Sequence, residues 1–306
     1  MLNTKENFIT KKLDKQNYID QMYEKNNQLF EYVKLIKDTD IKSIQISDKG
    51  VLFTSKEQDI KMLCTKNDKR SAPFEIMNFD NYESDDAAMI YKLIEDEYTV
   101  FDIGANIGWY SLNIAKKKKN VQIFSFEPVH TTFENLEKNI QLNNCQEVIK
   151  YFNFGFSNEA KDLEFYISNL TSVSSSAINI TESEETQKMV CKVITLDEFV
   201  IVNNVKLDFI KCDVEGAELF VYQGAINTLT KQKPIVFSEM LRKWSAKYNY
   251  HPNDIIQLFK RINYNCFVIN KNLTLNEIQE VTLDTLETNF IFLHSEKHDN
   301  IINQLS

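Results

Sequence analysis

The residues with chemistry to offer fall in short stretches that share one form. Thr99 to Ala115 reads TVFDIGANIGWYSLNIA: apolar residues run into Asp102, then Gly104, Asn106 and Gly108 follow, and the pattern turns helical. VQIFSFEP stops at Glu127, LDFIKCDVEG at Asp213 and Glu215, and PIVFSEM at Glu239. Each is an apolar run that ends on a carboxylate, the pattern of a buried parallel strand carrying a polar group at its carboxyl end. In sheets of such strands, ligands bind just beyond those ends.

The first stretch restricts the ligand. Its spacing is G-x-x-x-G, and Asn106 stands where a dinucleotide turn has the glycine that lets a pyrophosphate approach backbone. A carboxylate at the mouth of the turn, Asp102, would repel a phosphate and suit a cation or a sugar hydroxyl. The expected ligand therefore carries a nucleoside and a positive group but no pyrophosphate, as S-adenosylmethionine does. Gly104 would let backbone pass close to its methionine part, and Gly108 would let the following helix pack tightly on the sheet. Glu127, closing the next strand, is placed to accept both ribose hydroxyls. The competing readings are a helix cap for Asp102 and a solvated turn residue for Glu127.

Methylation of a hydroxyl requires that its proton leave, to a base or under the influence of a metal. Asp213 is the candidate base or ligand, with Glu239 supporting it from the neighbouring strand end. Such a pair of oxygen donors could hold Mg²⁺ or Ca²⁺, but proton transfer without a metal is the preferred reading and no metal ligand is assigned. Glu215 divides between substrate contact and capping of the helix that begins near Ala217. His130 and His251 are weaker base candidates. Trp244, Tyr248 and Tyr250 suit either a sugar-stacking wall or ordinary packing. The run Lys116 to Lys119 reads as a solvated helix end.

The elements that must position these groups alternate from Thr99 onward: strand, helix, strand, helix. Predicted strands are TVFDIG, VQIFSFEP, VIKYFNFGFS, LDFIKCDVEG, PIVFSEM, CFVIN and NFIFLH. A polar insertion, NLTSVSSSAINITESEETQK, separates the third and fourth, as a solvated loop or a lid. Ahead of the alternation, residues 1 to about 40 read as helical, with a stripe at Ile19, Met22, Leu29, Val33 and Ile36. That stripe is read as a packing face, with a homodimer helix as the second reading. IKSIQISDKGVLFTS reads as a hairpin and Glu83 to Ile94 as a helix.

At 306 residues, with 43% hydrophobic and 26% charged content, the chain can bury a full core. Its net charge of −9 disfavours tracking along nucleic acid. The five cysteines have no CxxC spacing, which predicts reduced thiols rather than a disulfide frame or zinc site. With no secretory pattern at the N-terminus and no apolar run of roughly 20 residues, the expectation is a cytoplasmic protein without a membrane span.

VFDIGANIGWYSLNIA, FSFEP, LDFIKCDVEGAEL and PIVFSEM together resemble the FkbM-type S-adenosylmethionine-dependent methyltransferases, over roughly Glu83 to His294. The resemblance implies an α/β, Rossmann-like class I methyltransferase fold: a doubly wound, seven-stranded, mostly parallel sheet with the seventh strand antiparallel. It implies a methyltransferase domain over 81–306 behind a helical and hairpin extension over 1–80. It also implies methyl transfer, usually to a hydroxyl of a sugar or natural product, so the partner is a small-molecule or saccharide acceptor. Asp102, Gly104, Asn106 and Gly108 match the family's cofactor turn, Glu127 its ribose acid, and Asp213, Glu215 and Gly216 its fourth-strand motif. The alternatives are a non-catalytic scaffold, which the strand-end acids oppose, and an NAD-dependent oxidoreductase, which the missing glycine opposes. Nucleic-acid methylation lacks an NPPY-like stretch.

Overall fold

A computed structural model describes residues 1–66, 68–168 and 186–306. Most of the predicted polar insertion, 169–185, lies outside the described residues.

The chain opens with helices α1 (Leu2–Ile9) and α2 (Lys15–Leu35). A small antiparallel sheet follows: β1 (Ile41–Ser47), β2 (Gly50–Ser55) and β3 (Lys61–Leu63). Helices α3 (Ala72–Phe79) and α4 (Ser84–Leu93) lead to the alternating part. There β4 (Thr99–Ile103), α5 (Trp109–Lys117), β5 (Gln122–Phe126), α6 (His130–Leu142) and β6 (Ile149–Phe152) come in turn. A second small sheet is made by β7 (Gly155–Phe156), β8 (Lys161–Ser168) and β9 (Thr186–Ile194). Next are α7 (Leu196–Val202), β10 (Phe209–Cys212), α8 (Glu218–Gln223), α9 (Ile226–Gln232) and β11 (Ile235–Glu239). The chain finishes with α10 (Arg242–Lys247), α11 (Pro252–Lys260), β12 (Tyr264–Ile269), β13 (Leu275–Ile278), β14 (Asn289–His294) and α12 (Asp299–Leu305).

The central sheet runs β13-β12-β14-β11-β10-β4-β5-β6. From β11 to β6 every pairing is parallel, while β14 is antiparallel to both neighbours. This is the doubly wound, mostly parallel sheet expected, with the reversed strand in its expected place. It has eight strands rather than seven, because β13 turns back on β12 as an antiparallel edge. The run VIKYFNFGFS, predicted as one strand, is two. Asn153 breaks it: its amide donates to the carbonyls of Glu127 and Pro128, which pulls the chain out of the sheet before β7 begins.

Side chains alternate across the sheet and fill two core layers. Val100, Ile123, Phe209 and Ile291 face one layer; Phe101, Phe124, Ile210 and Phe292 face the other. The second layer holds a tight aromatic group in which Phe126 meets Phe199 edge-on at 5.1 Å between ring centroids. The N-terminal stripe does not pack as expected. None of the residues of α2 is buried, and Leu29 and Val33 remain exposed. Among the described residues no helix is long and apolar enough to cross a membrane.

Candidate active site

Register decides what the sheet presents at its carboxyl ends. Asp102 on β4 sits opposite Ser125 on β5 and opposite Lys211 on β10. Residues in register share a face, so these three form one polar row on the face that otherwise carries the first core layer. Asp102 is 1% exposed. It accepts from Ser111 Oγ at 2.5 Å, and its Oδ1 lies 3.7 Å from Lys211 Nζ. The structure thus places Asp102 behind the cavity wall, not at the mouth of the turn where the sequence suggested it.

Lys211 is the residue that ties the region together. Its ammonium lies 3.2 Å from Asp213 Oδ2, donates to the Gly104 carbonyl at 3.3 Å and stands 5.3 Å from the centre of the Tyr110 ring. Burial alone would lower its pKa; Asp213, Asp102 and Glu83 overturn that and hold it above the usual lysine value. The sequence reading missed Lys211. Its signal was a cation inside the apolar run DFIKC, which a strand buried on both faces tolerates only beside counter-charge.

A cavity of about 330 Å³ opens over these strand ends, within the usual scale of small-molecule sites. Gly104, Asn106, Glu127, Lys211, Asp213 and Glu215 all contribute to its wall. Leu163 and Phe165 of β8 cover one side, and Arg70, Ala72 and Tyr82 from the N-terminal segments contribute another part. Of the residues given a cofactor-binding or catalytic role from the sequence, Asp102, Gly108 and Glu239 do not line it. Gly104 is required where it is: with φ of +76°, an added Cβ would fall 1.8 Å from the Asp213 carbonyl oxygen. Gly108, at φ +92°, is instead pressed against α6, where a Cβ would come 2.7 Å from Leu136 Cδ1. The close packing it permits is helix on helix, not helix on sheet.

Glu127 is 7% exposed at the end of β5. One oxygen accepts from the Asn106 amide at 3.1 Å and the other from the Val129 amide at 2.9 Å. Burial nevertheless pushes its pKa up to about 7, against these two backbone donors. Each oxygen keeps a lone pair for a further donor.

At the other end, carboxylate oxygens of Asp213, Glu215 and Glu239 lie within 4.8 Å of one another. Burial raises Glu215 and Glu239 well above the ordinary carboxyl range, and the Asp213 charge adds to the effect in both. The three carboxyl groups are close enough to interact directly. They can share protons or, as an all-oxygen set, could hold a divalent cation. The two readings of Glu215 separate here. α8 has no side-chain cap at its N-terminus; Glu218 instead accepts from the amides of Val214 and Gly216 and braces the turn. Glu215, held left-handed at φ +55°, goes to the cavity.

The remaining candidates separate as well. Tyr248 lines the cavity, while Tyr250 donates to the Gly216 carbonyl at 2.9 Å and holds the turn. Trp244 stops Gly216 from carrying a side chain, since a Cβ would come within 2.9 Å of it. His251 caps α11 by accepting from the Asn253 amide. His130 is exposed at the start of α6, 3.1 Å from Asn153 Oδ1. Lys116 donates to the Asn143 carbonyl and Lys117 pairs with Glu57, so that run ties α5 to its neighbours.

The Methyltransferase FkbM domain matches residues 102–266. The chain is 32% identical over 149 residues to the hexuronic acid methyltransferase AglP of Haloferax volcanii, covering 48% of this chain and 58% of that protein. It is 28% identical over 146 residues to Methyltransferase 1 of Beauveria bassiana, covering 42% and 59%. The matches therefore span less than two thirds of the length of these relatives. Among solved structures, Methyltransferase FkbM from Methylobacillus flagellatus KT aligns with 65% of this chain and 44% of its own, at 17% identity and a TM-score of 0.42.

Proposed function

The chain belongs to the FkbM methyltransferase family, and from that premise we propose that it moves a methyl group from S-adenosylmethionine to a hydroxyl of a sugar or natural product. The observation that carries this reading is the cavity with Glu127 at one end and the convergent acids Asp213, Glu215 and Glu239 at the other.

The residues present fit the methyl donor. Glu127 offers two oxygens to the ribose hydroxyls. Phe156, Leu163 and Phe165 give an apolar wall for the adenine. Gly104 and Asn106 bring backbone to the middle of the cavity, where the amino-acid part would lie. When bound, the donor supplies a methyl group on a sulfonium, open to attack by a nucleophile. The chain's own part is to orient the acceptor and take its proton. Asp213 faces the cavity, accepts the hydroxyl's hydrogen bond and takes its proton; Glu239, behind it on β11, shares that proton through the grouped carboxyl oxygens. Lys211 fixes the Asp213 carboxylate at 3.2 Å.

A divalent cation held by the same three oxygens is the second reading, supported by their 4.8 Å grouping. The Lys211 ammonium beside Asp213 already supplies positive charge there, which favours proton transfer. Hexuronic acid is what the name of one relative specifies; for this chain we extend the proposal to hydroxyl-bearing saccharides and natural products as a class.

Calorimetry of S-adenosylmethionine, S-adenosylhomocysteine and NAD against wild type and Glu127→Ala tests the donor. The two sulfur nucleosides should bind and NAD should not. The variant should bind about 10- to 100-fold more weakly, the worth of one or two hydrogen bonds to a charged acceptor. A folded protein that binds neither sulfur nucleoside would remove the methyltransferase reading and favour a scaffold. Turnover that survives chelator and is lost in Asp213→Asn supports the proton-transfer version; loss on chelation, restored by Mg²⁺, supports the cation version.

A further inference from the structure

The helix α2 is built for a partner that the single chain does not supply. It is 21 residues long, and none of those residues is buried. Within the chain it is held by α1, through Phe8 stacked on Tyr18 at 4.4 Å between centroids. In proteins most of a helix's stability comes from packing its apolar face. Yet Phe30 is 69% exposed and Val33 64%.

The sequence along the helix says what covers it. Ile19, Met22, Asn26, Leu29, Val33 and Ile36 recur at alternating spacings of three and four. These are the a and d positions of successive heptads, with Ile19, Asn26 and Val33 at a and Met22, Leu29 and Ile36 at d. The opposite face carries Asp20, Glu24, Asn27, Glu31 and Lys34. Asn26 falls near the midpoint of Lys15–Leu35. A buried Asn at one a position sets register and favours a two-stranded pairing, because it meets its own copy across the seam.

We propose that α2 pairs with the α2 of a second copy of this chain, making the protein a homodimer. In the parallel pairing that sets Asn26 against its own copy, the two-fold axis runs along the seam and the interface is self-complementary and closed. At and beside the seam Ile19, Tyr23, Leu29, Phe30 and Val33 are all open to water, the kind of contiguous apolar surface that a standard interface of about 800 Å² per partner covers. Next to the seam, a groove of about 880 Å³ runs between α2 and the β1–β2 hairpin, lined by Leu29, Val33, Ile46, Val51 and Met77. It receives the aromatic side chains that flank the partner's seam, Tyr23 and Phe30. The seam itself carries no charge, so the −9 of each chain does not oppose closure at this face.

Sedimentation velocity of the full chain tests this. At tens of micromolar the wild type should sediment at about 72 kDa, twice 35.9 kDa. The double variant Leu29→Glu, Val33→Glu should dissociate at least about 100-fold more readily, with its tryptophan fluorescence melt retained because both positions are exposed in the single chain. Asn26→Leu should tighten association or raise the stoichiometry beyond two. A wild type that is monomeric at these concentrations overturns the proposal. So does a dimer that the double variant leaves intact, which would lie at another surface.

Discussion

Lys211→Met removes the ammonium that Asp102 and Asp213 share. The loss divides unequally between the two acids. Asp213's side chain is 37% exposed, so water screens it and its pairing contributes about 0–1 kcal/mol. Asp102 is 1% exposed and its Oδ1 accepts no hydrogen bond, so the ammonium at 3.7 Å is the compensation for its charge. Breaking a buried pair by removing one partner costs about 3–5 kcal/mol. The lower end applies, because Ser111 still donates to the other oxygen. A destabilisation of about 3 kcal/mol is a large share of the 5–15 kcal/mol that ordinarily holds a domain together. Urea unfolding followed by tryptophan fluorescence should show a midpoint lowered by about 1–3 M with its slope unchanged. Adding Asp102→Asn to Lys211→Met removes the charge left without its partner and should recover about 1–2 kcal/mol. A Lys211→Met loss below about 1 kcal/mol, or no recovery on adding Asp102→Asn, would refute the account of Asp102 as a buried charge dependent on Lys211.

Two further outcomes follow from the strand ends. Gly104→Ala forces a Cβ to within 1.8 Å of the Asp213 carbonyl oxygen at a φ of +76°. The turn must move, so turnover should drop at least about 10-fold and the melting temperature should fall with it, by an amount set by about 1–3 kcal/mol of backbone strain. Methyl-donor binding should depend on pH through Glu127, whose pKa burial raises to about 7. Its carboxylate form accepts the ribose hydroxyls, so affinity should be full above pH 7 and fall up to about tenfold per unit below it, a dependence that Glu127→Gln abolishes in calorimetry. The sign for folding without ligand is opposite. Glu127 and Glu218 both have folded values raised to about 7, so the stability they contribute is present below their unfolded value near 4.5 and is lost as pH rises through 7.

The central strands and the acids at their ends were legible because fully buried parallel strands are written as short apolar runs that stop abruptly. Glu127, Asp213 and Glu239 marked three of those stops. What the sequence could not display was register. Asp102 and Lys211 are far apart in the chain and become partners only because β4 and β10 align them; read singly, Asp102 looked like a ligand contact. Neighbouring acids were ambiguous for a different reason. Glu215 and Glu218 both precede or open α8, and the left-handed backbone at Glu215 is what sends one to the cavity and leaves the other to brace the turn. The strands β8 and β9 were not assigned because LEFYIS and MVCKV sit on either side of the long polar stretch NLTSVSSSAINITESEETQK, with no turn signal pairing them. The exposure of α2 was not legible either: a helical stripe states that a face is apolar, not which chain covers it.

Arg70, Ala72 and Tyr82 reach the cavity from segments that precede the alternating sheet. One wall of the cavity is therefore encoded separately from the strand ends that carry Glu127 and Asp213. Diversifying those three positions, or exchanging 70–82 for the corresponding piece of another protein, alters part of the cavity wall without editing a residue of the central sheet. The same arrangement sets a minimum for protein production: a shortened version beginning near residue 81 would leave the cavity wall without Arg70 and Ala72, however well its sheet folds.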